Sequence, residues 1–188
     1  MDALETQEQI EKAHHLSNRR AALLIAALAA MLAITEMAAK HAQNESVTSN
    51  IKASDTWSFY QAKTIRVTTL RTAIEAATLQ PGIDPAARDK QIAAWKATAE
   101  RYESEPATGE GRKELLERAK ATEEKRDHEL SAFHAFEYGA GALQLAIVMA
   151  SASVITSMFA LELVAAGLGV LGLAFAAIGW LAPTLLHL

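Results

Sequence analysis

The C-terminal quarter of the chain, residues 138–188, reads YGAGALQLAIVMASASVITSMFALELVAAGLGVLGLAFAAIGWLAPTLLHL. Its one charge, Glu162, lies between two apolar runs of 24 residues each, 138–161 and 163–186. A transmembrane helix needs roughly 20 apolar residues to cross about 30 Å of hydrocarbon. The sequence therefore predicts two membrane helices, with Glu162 marking the turn between them, since a charge at bilayer depth costs about 2.5–3.5 kcal/mol.

A third apolar segment lies near the N-terminus. Residues 21–35 follow two arginines and precede Glu36, and extension to Ala39 gives 19 residues, or about 28 Å of helix. We predict a retained membrane helix at 19–40 and not a secretory signal peptide, because the preceding segment is long and acidic and no cleavage context follows. Residues 1–18 are predicted to form a polar tail or a short surface helix. Its Glu11 and His15 have i,i+4 spacing, which is more often a solvated pair than a metal site.

The remaining composition is that of a charged helical domain. The 188 residues carry a net charge of −4 and no cysteine. The charge gives no basic excess for nucleic acid, and the lack of cysteine removes disulfides and thiolate chemistry. Charged residues are dense between residues 40 and 137, so residues 41–136 are predicted to lie outside the membrane. Lysine and arginine flank the first span at both ends, so both orientations remain open.

Turn-forming residues divide this domain into helices. No glycine or proline interrupts the chain between Arg19 and Gln80, so the first membrane helix is expected to continue into the domain. After Pro81-Gly82, Asp84-Pro85 starts a second helix, with Asp as the N-cap. After the loop EPATGEG, a third helix begins at Arg112 and enters the second span. The prediction is an all-α membrane protein with spans at 19–40, 137–161 and 162–188, and with an antiparallel helical hairpin between the first two.

One face of the first long helix carries a heptad-like seam. Tyr60, Val67 and Ile74 are seven residues apart, Leu70 lies on the complementary position, and Trp57 lies nearby. We predict that these five residues form a contact within the hairpin or between copies. The apolar stripes are thin for an independent core, so we expect a homo-oligomer. A coiled-coil hairpin that is sufficient by itself is the alternative.

Small residues mark the last span. The run from Gly167 to Gly172 matches G-x-G-x-x-G, but no strand precedes it, so a nucleotide site is not expected. We predict close packing between membrane helices instead, and no cofactor. The packing residues would be Ala165, Gly167, Gly169, Gly172 and Ala176.

Polar residues near the second span admit two explanations each. Gln144 and Ser151 are seven apart on one face, which would line a pore or bond to a neighbouring helix. His134 and Glu137 are i,i+3, which would form a metal or proton site or an interfacial ion pair. No metal site is predicted from these pairs. The sequence contains no Ser/His/Asp arrangement, phosphate-binding loop or zinc-protease motif, so we do not expect an enzyme.

Three stretches resemble a known family. They are ALLIAALAAMLAITEMAAKHAQNES (22–46), ASDTWSFYQAKTIRVTTLR (53–71) and GRKELLERAKATEEKRDHELSAFHAFEYGAGALQLAIVMASASVIT (111–156). They are similar to the bacterial membrane proteins grouped as DUF4337, and the likeness covers most of residues 17–183. Its most specific part is W-x-F-Y-Q-A-K-x-I-R at 57–66. The resemblance implies a multi-pass bacterial inner-membrane protein with this helix order, and it supplies no activity or catalytic residue.

The sequence thus favours a non-enzymatic, self-assembling membrane scaffold or accessory protein. Its expected partners are the lipid bilayer, further copies of itself and a larger membrane complex, and not nucleic acid. The alternative is a channel or transporter subunit whose second span, with Gln144, lines the path.

Overall fold

The computed structural model describes the backbone of residues 3–185 and the side chains of residues 19–185. Within this range the regular structure is helical: α1 (Ala3–Leu79), α2 (Pro85–Glu103), α3 (Arg112–Thr156), α4 (Phe159–Leu181) and a short 3-10 helix (Pro183–Leu185). The all-α prediction is confirmed. Three helical segments are long and apolar enough to cross a membrane, namely Arg19–Leu79, Arg112–Thr156 and Phe159–Leu181.

The first and third helices pass through the predicted span boundaries without a break. α1 is continuous from Ala3, so the backbone of the predicted polar tail belongs to the same helix as the first span. The side chains of that tail, including Glu11 and His15, lie outside the described residues, as does the predicted end of the last span at 188. The continuity of α1 agrees with the absence of glycine and proline between Arg19 and Gln80.

The turn between α3 and α4 lies at Ser157 and Met158. Ser157 has a positive φ of 52°, a conformation that ends a helix. The prediction that Glu162 marks the turn is corrected, because Glu162 lies in the first turn of α4. A carboxylate is favoured there by the partial positive charge of the helix N-terminus. The uninterrupted apolar composition gave no signal for the true position.

The described chain divides into two compact units. The first, here called the apolar unit, comprises Met1–Ser46 and His128–Leu188. The second, the charged unit, comprises Val47–Asp127.

Within the apolar unit, α1 and α3 run antiparallel and pack through small side chains. Leu28 lies with Leu143 and Ala150 in one buried cluster. Ala39 lies with Phe136 in a second cluster, so α1 residues further along the chain meet α3 residues nearer its start. Alanines fill much of both clusters, which lets the two helix axes approach closely.

Within the charged unit, three helical segments come together. Val67 of α1 and Leu115 of α3 are among its fully buried side chains. α2 contributes no buried residue. Its N-terminus is capped by Asp84, whose carboxylate accepts a hydrogen bond from the Ala87 backbone N–H at 3.1 Å, with Pro85 in the first turn. The predicted start of this helix is confirmed.

Candidate functional site

Arg112, the first residue of α3, connects all three helices of the charged unit. Its Nε donates to the Thr64 hydroxyl at 3.0 Å, and its Nη2 donates to the Tyr60 hydroxyl at 3.2 Å. Its Nη1 donates to the Glu103 carboxylate of α2 at 2.8 Å. A planar guanidinium offers five donors in a fixed arrangement, which suits such a three-way contact. The hydrogen bond with Tyr60 and the charge of Glu103 raise the pKa of Arg112 above its ordinary value.

Lys63 is buried in the same region. Its side chain is 5% exposed, and its Nζ lies 4.8 Å from the centroid of the Tyr102 ring and 5.4 Å from that of Phe59. The Glu110 carboxylate lies 4.0 Å away. The negative faces of aromatic rings stabilise a cation at such distances. A charge at a seam position of α1 is therefore accommodated by rings from α1 and α2.

We call these residues the Arg112 cluster: Phe59, Tyr60, Lys63, Thr64, Tyr102, Glu103 and Arg112. The sequence pattern identified neither Lys63 nor Arg112 as a residue of a functional site. The signal available was local, since Phe59 lies four residues before Lys63 and faces the same side of a helix. The partners from α2 and α3 are 39 or more positions away from Lys63 in the chain, and no periodicity connects them.

The connection between α2 and α3 is fastened by Glu114. Its carboxylate accepts a hydrogen bond from the Ser104 hydroxyl at 2.6 Å and another from the Glu105 backbone N–H at 3.1 Å. The Ser104 bond contributes most to lowering the pKa of Glu114 below its ordinary value. Gly111 allows this closure, because a Cβ there would lie 2.6 Å from the Ser104 Cα.

The structure places the predicted seam residues inside the hairpin of the charged unit. Trp57 Nε1 donates to the Glu123 carboxylate of α3 at 2.9 Å. Val67 is 1% exposed, and Leu70 and Ile74 are half-buried. Trp57 and Tyr60 thus contact α3 of the same chain.

In the apolar unit, α4 approaches α3 through glycine. A Cβ on Gly172 would lie 2.9 Å from the Gly139 carbonyl oxygen and 2.7 Å from Leu143 Cγ. A Cβ on Gly169 would lie 2.7 Å from Leu28 Cδ2. Gly167 is exposed, with nothing within 4 Å of its would-be Cβ. Two further predicted packing residues also lie in contacts, since Ala165 is fully buried and Ala176 packs against the cluster that contains Phe136.

The predicted polar residues of the second span occupy different positions. Gln144 Nε2 donates to the Glu36 carboxylate of α1 at 3.1 Å. Ser151 donates to the carbonyl of Ile147 at 2.8 Å, within its own helix. Gln144 therefore makes the contact between helices, and the Ser151 hydroxyl is used locally.

His134 and Glu137 form a loose surface pair. His134 Nδ1 lies 3.9 Å from a Glu137 carboxylate oxygen, with side chains 38% and 58% exposed. Among the side chains of residues 19–185, no group of three or more His, Asp or Glu is arranged to hold a metal ion.

The fold defines an all-helical protein with three candidate membrane spans. The family with the description "Domain of unknown function (DUF4337)" matches residues 17–182. The chain belongs to this family. Comparison with curated proteins and with solved structures found no match.

Proposed function

We propose that this protein is a non-enzymatic, self-assembling scaffold or accessory protein of the bacterial inner membrane. The observation that carries its structural, non-enzymatic character is the Arg112 cluster. Its charged and aromatic side chains come from α1, α2 and α3, and they bond to one another. Their contacts fasten helices together, which supports a structural role for the segment 57–66.

The hydrogen bonding of buried groups supports the same role. Across the described side chains, no buried nitrogen or oxygen lacks a hydrogen-bond partner. Catalytic sites usually hold polar groups whose bonding is completed by a substrate, or groups with strongly shifted pKa values. The pKa values of Arg112 and Glu114 are both shifted in favour of the charged form, which favours permanently charged hydrogen-bonding groups over proton transfer.

The mass of the purified full-length protein in a mild detergent tests the self-assembly. We expect a mass of at least two chains, after subtraction of bound detergent, that is stable on dilution to micromolar protein. A monomer at every concentration would contradict the proposal. Proteins that co-purify in stoichiometric amount would identify the larger complex that the scaffold serves.

A channel or transporter subunit is the second candidate, and one feature favours it. Glu36 and Gln144 line an open groove of about 440 Å³ in the apolar unit, together with Lys40, Gln43 and Glu137. Ionisable groups near membrane depth often mark ion pathways. Ion flux into liposomes that is lost in Gln144→Leu and kept in the matched control Ser151→Ala would support a channel. A sealed oligomer would rule it out.

A further inference from the structure

A second heptad seam runs along the outside of α1 in the charged unit. Its positions follow steps of four and three residues from Val47 to Thr72, and all are exposed. Val47 is 55%, Ile51 56% and Ile65 67% exposed. We call this set the outer seam: Val47, Ile51, Ser54, Ser58, Gln61, Ile65, Thr68 and Thr72. It spans 26 residues, or about 39 Å of helix.

The outer seam carries no charged residue, and in this it differs from the neighbouring surface. The exposed side of α3 in the same unit presents Lys113, Glu117, Arg118, Lys120 and Glu124. Exposed helix faces are usually charged in this way because charges keep them solvated. Val47, Ile51 and Ile65 give this uncharged stripe aliphatic side chains at three of its eight positions, on the seven-residue repeat that pairing helices use.

Three of the four hydroxyl groups of the outer seam donate their hydrogens within α1. Ser58 donates to the Ser54 carbonyl at 2.9 Å, Thr68 to the Thr64 carbonyl at 3.0 Å, and Thr72 to the Thr68 carbonyl at 3.1 Å. A hydroxyl that already donates to its own helix leaves no unpaired donor when a partner covers it. Burial of these three hydroxyl groups therefore avoids the free-energy cost of an unpaired donor.

A second copy of this chain fits the outer seam better than an unrelated helix. α1 is one continuous helix from Ala3 to Leu79 and includes the first candidate span. Two copies inserted in the same orientation would present α1 in the same direction. A twofold axis then places each seam residue opposite its own counterpart. Like charges would repel in that arrangement, and an uncharged seam avoids the repulsion.

The flanking positions also suit a parallel pair. In a parallel pair of helices, the residues that flank the seam also face each other. A flanking residue of one helix lies opposite the flanking residue whose number is five higher on the other helix. Asp55 would then face Asn50 of the second copy, and this pair brings no like charges together.

We propose that the outer seam is the surface on which a second copy of this chain docks, forming a parallel α1–α1 pair. This inference rests on the proposed self-assembly and names its interface. In it, Ile51 and Ile65 each meet the same residue of the second copy.

Cysteine cross-linking tests the pairing directly, because the natural chain contains no cysteine. Ile51→Cys and Ile65→Cys would be expressed singly as full-length proteins, kept in membranes and treated with a mild oxidant. Lys52→Cys is the matched control, since Lys52 is an exposed neighbour on α1 that lies outside the seam. We expect both seam variants to form disulfide-linked dimers at least five-fold more than the control, as read on a non-reducing gel.

Introduction of a charge into the outer seam gives the second measurement. Ile65→Lys sets two ammonium groups opposite each other, and the exposure of Ile65 leaves the monomer fold unaffected. We expect an unchanged circular dichroism spectrum and at least ten-fold weaker association in detergent. An oligomer that persists in Ile65→Lys, or cross-linking equal to that of Lys52→Cys, would overturn the seam and leave self-assembly standing. A monomeric natural protein would overturn both.

Discussion

Replacement of Arg112 by methionine tests the Arg112 cluster most directly. Methionine keeps most of the aliphatic stem but removes the bonds to Thr64, Tyr60 and Glu103. The two bonds to neutral hydroxyls are worth about 0.5–1.5 kcal/mol each. The ion pair is partly exposed, with side chains 19% and 36% accessible, so solvent screening limits it to at most about 1 kcal/mol.

The sum is a loss of about 1–4 kcal/mol in the free energy of unfolding of the charged unit. Arg112→Lys keeps the charge but replaces the planar guanidinium, with its five donors, by a single ammonium group. We therefore expect roughly half of that loss. The pKa of Arg112 is raised above its ordinary value, so the effect should not vary with pH in the neutral range.

Tryptophan fluorescence during urea unfolding is the suitable assay. Trp57 and Trp95 lie in the charged unit and Trp180 in the apolar unit, so a Trp180→Phe background reports on the charged unit alone. Arg118→Met, at an exposed arginine of the same helix, is the matched control. If Arg112→Met lowers the urea midpoint no more than Arg118→Met does, the cluster does not stabilise the unit and the reasoning fails.

Three further predictions address packing and pH. Leu115→Ala should lower the free energy of unfolding of the charged unit by about 2–5 kcal/mol, because Leu115 is fully buried. A smaller loss, measured by urea unfolding, would contradict its core position. Gly172→Ala should lower the free energy of unfolding by about 1–3 kcal/mol, because the added methyl group forces α4 away from the Gly139 carbonyl oxygen. Gly167→Ala should be neutral or stabilising, because the added methyl group meets no neighbour. Thermal melts in detergent that rank the two variants in the opposite order would refute this. The folded pKa of Glu114 is depressed, so its contribution is present above its unfolded pKa of about 4.3 and lost as pH falls through the folded value. Glu114→Gln should weaken the acid dependence of unfolding, and an unchanged pH profile would exclude this role.

Much of the helix pattern could be predicted because it depends on local composition. The stop at Pro81-Gly82, the cap at Asp84 and the continuity of α1 follow from residues within one or two helical turns. The turn at Ser157 could not be predicted in this way. Its sequence context is apolar on both sides, and Ser157 adopts its positive φ without a glycine or proline to mark it.

The candidate site also combines features that could be predicted from the sequence with features that could not. The heptad spacing of Tyr60, Val67 and Ile74 identified a contact face from the sequence, but it left open whether the partner was the same chain or another copy. The structure places that face against α3 through Trp57 and Glu123. The outer seam, on another side of the same helix, remains exposed, and only the tertiary structure distinguishes the two faces.

By itself, the sequence determined that this protein is helical, that three of its segments are long and apolar enough to cross a membrane, and that a charged region separates the first from the second. These properties follow from hydropathy and turn chemistry, which act over a few neighbouring residues. Tertiary structure alone decided that Arg112 joins three helices, that Lys63 lies between aromatic rings, and that Gly172 rather than Gly167 faces a neighbouring backbone. Each of these depends on the rotation and axial offset of one helix against another, and those are set by the packing of side chains distant in the chain.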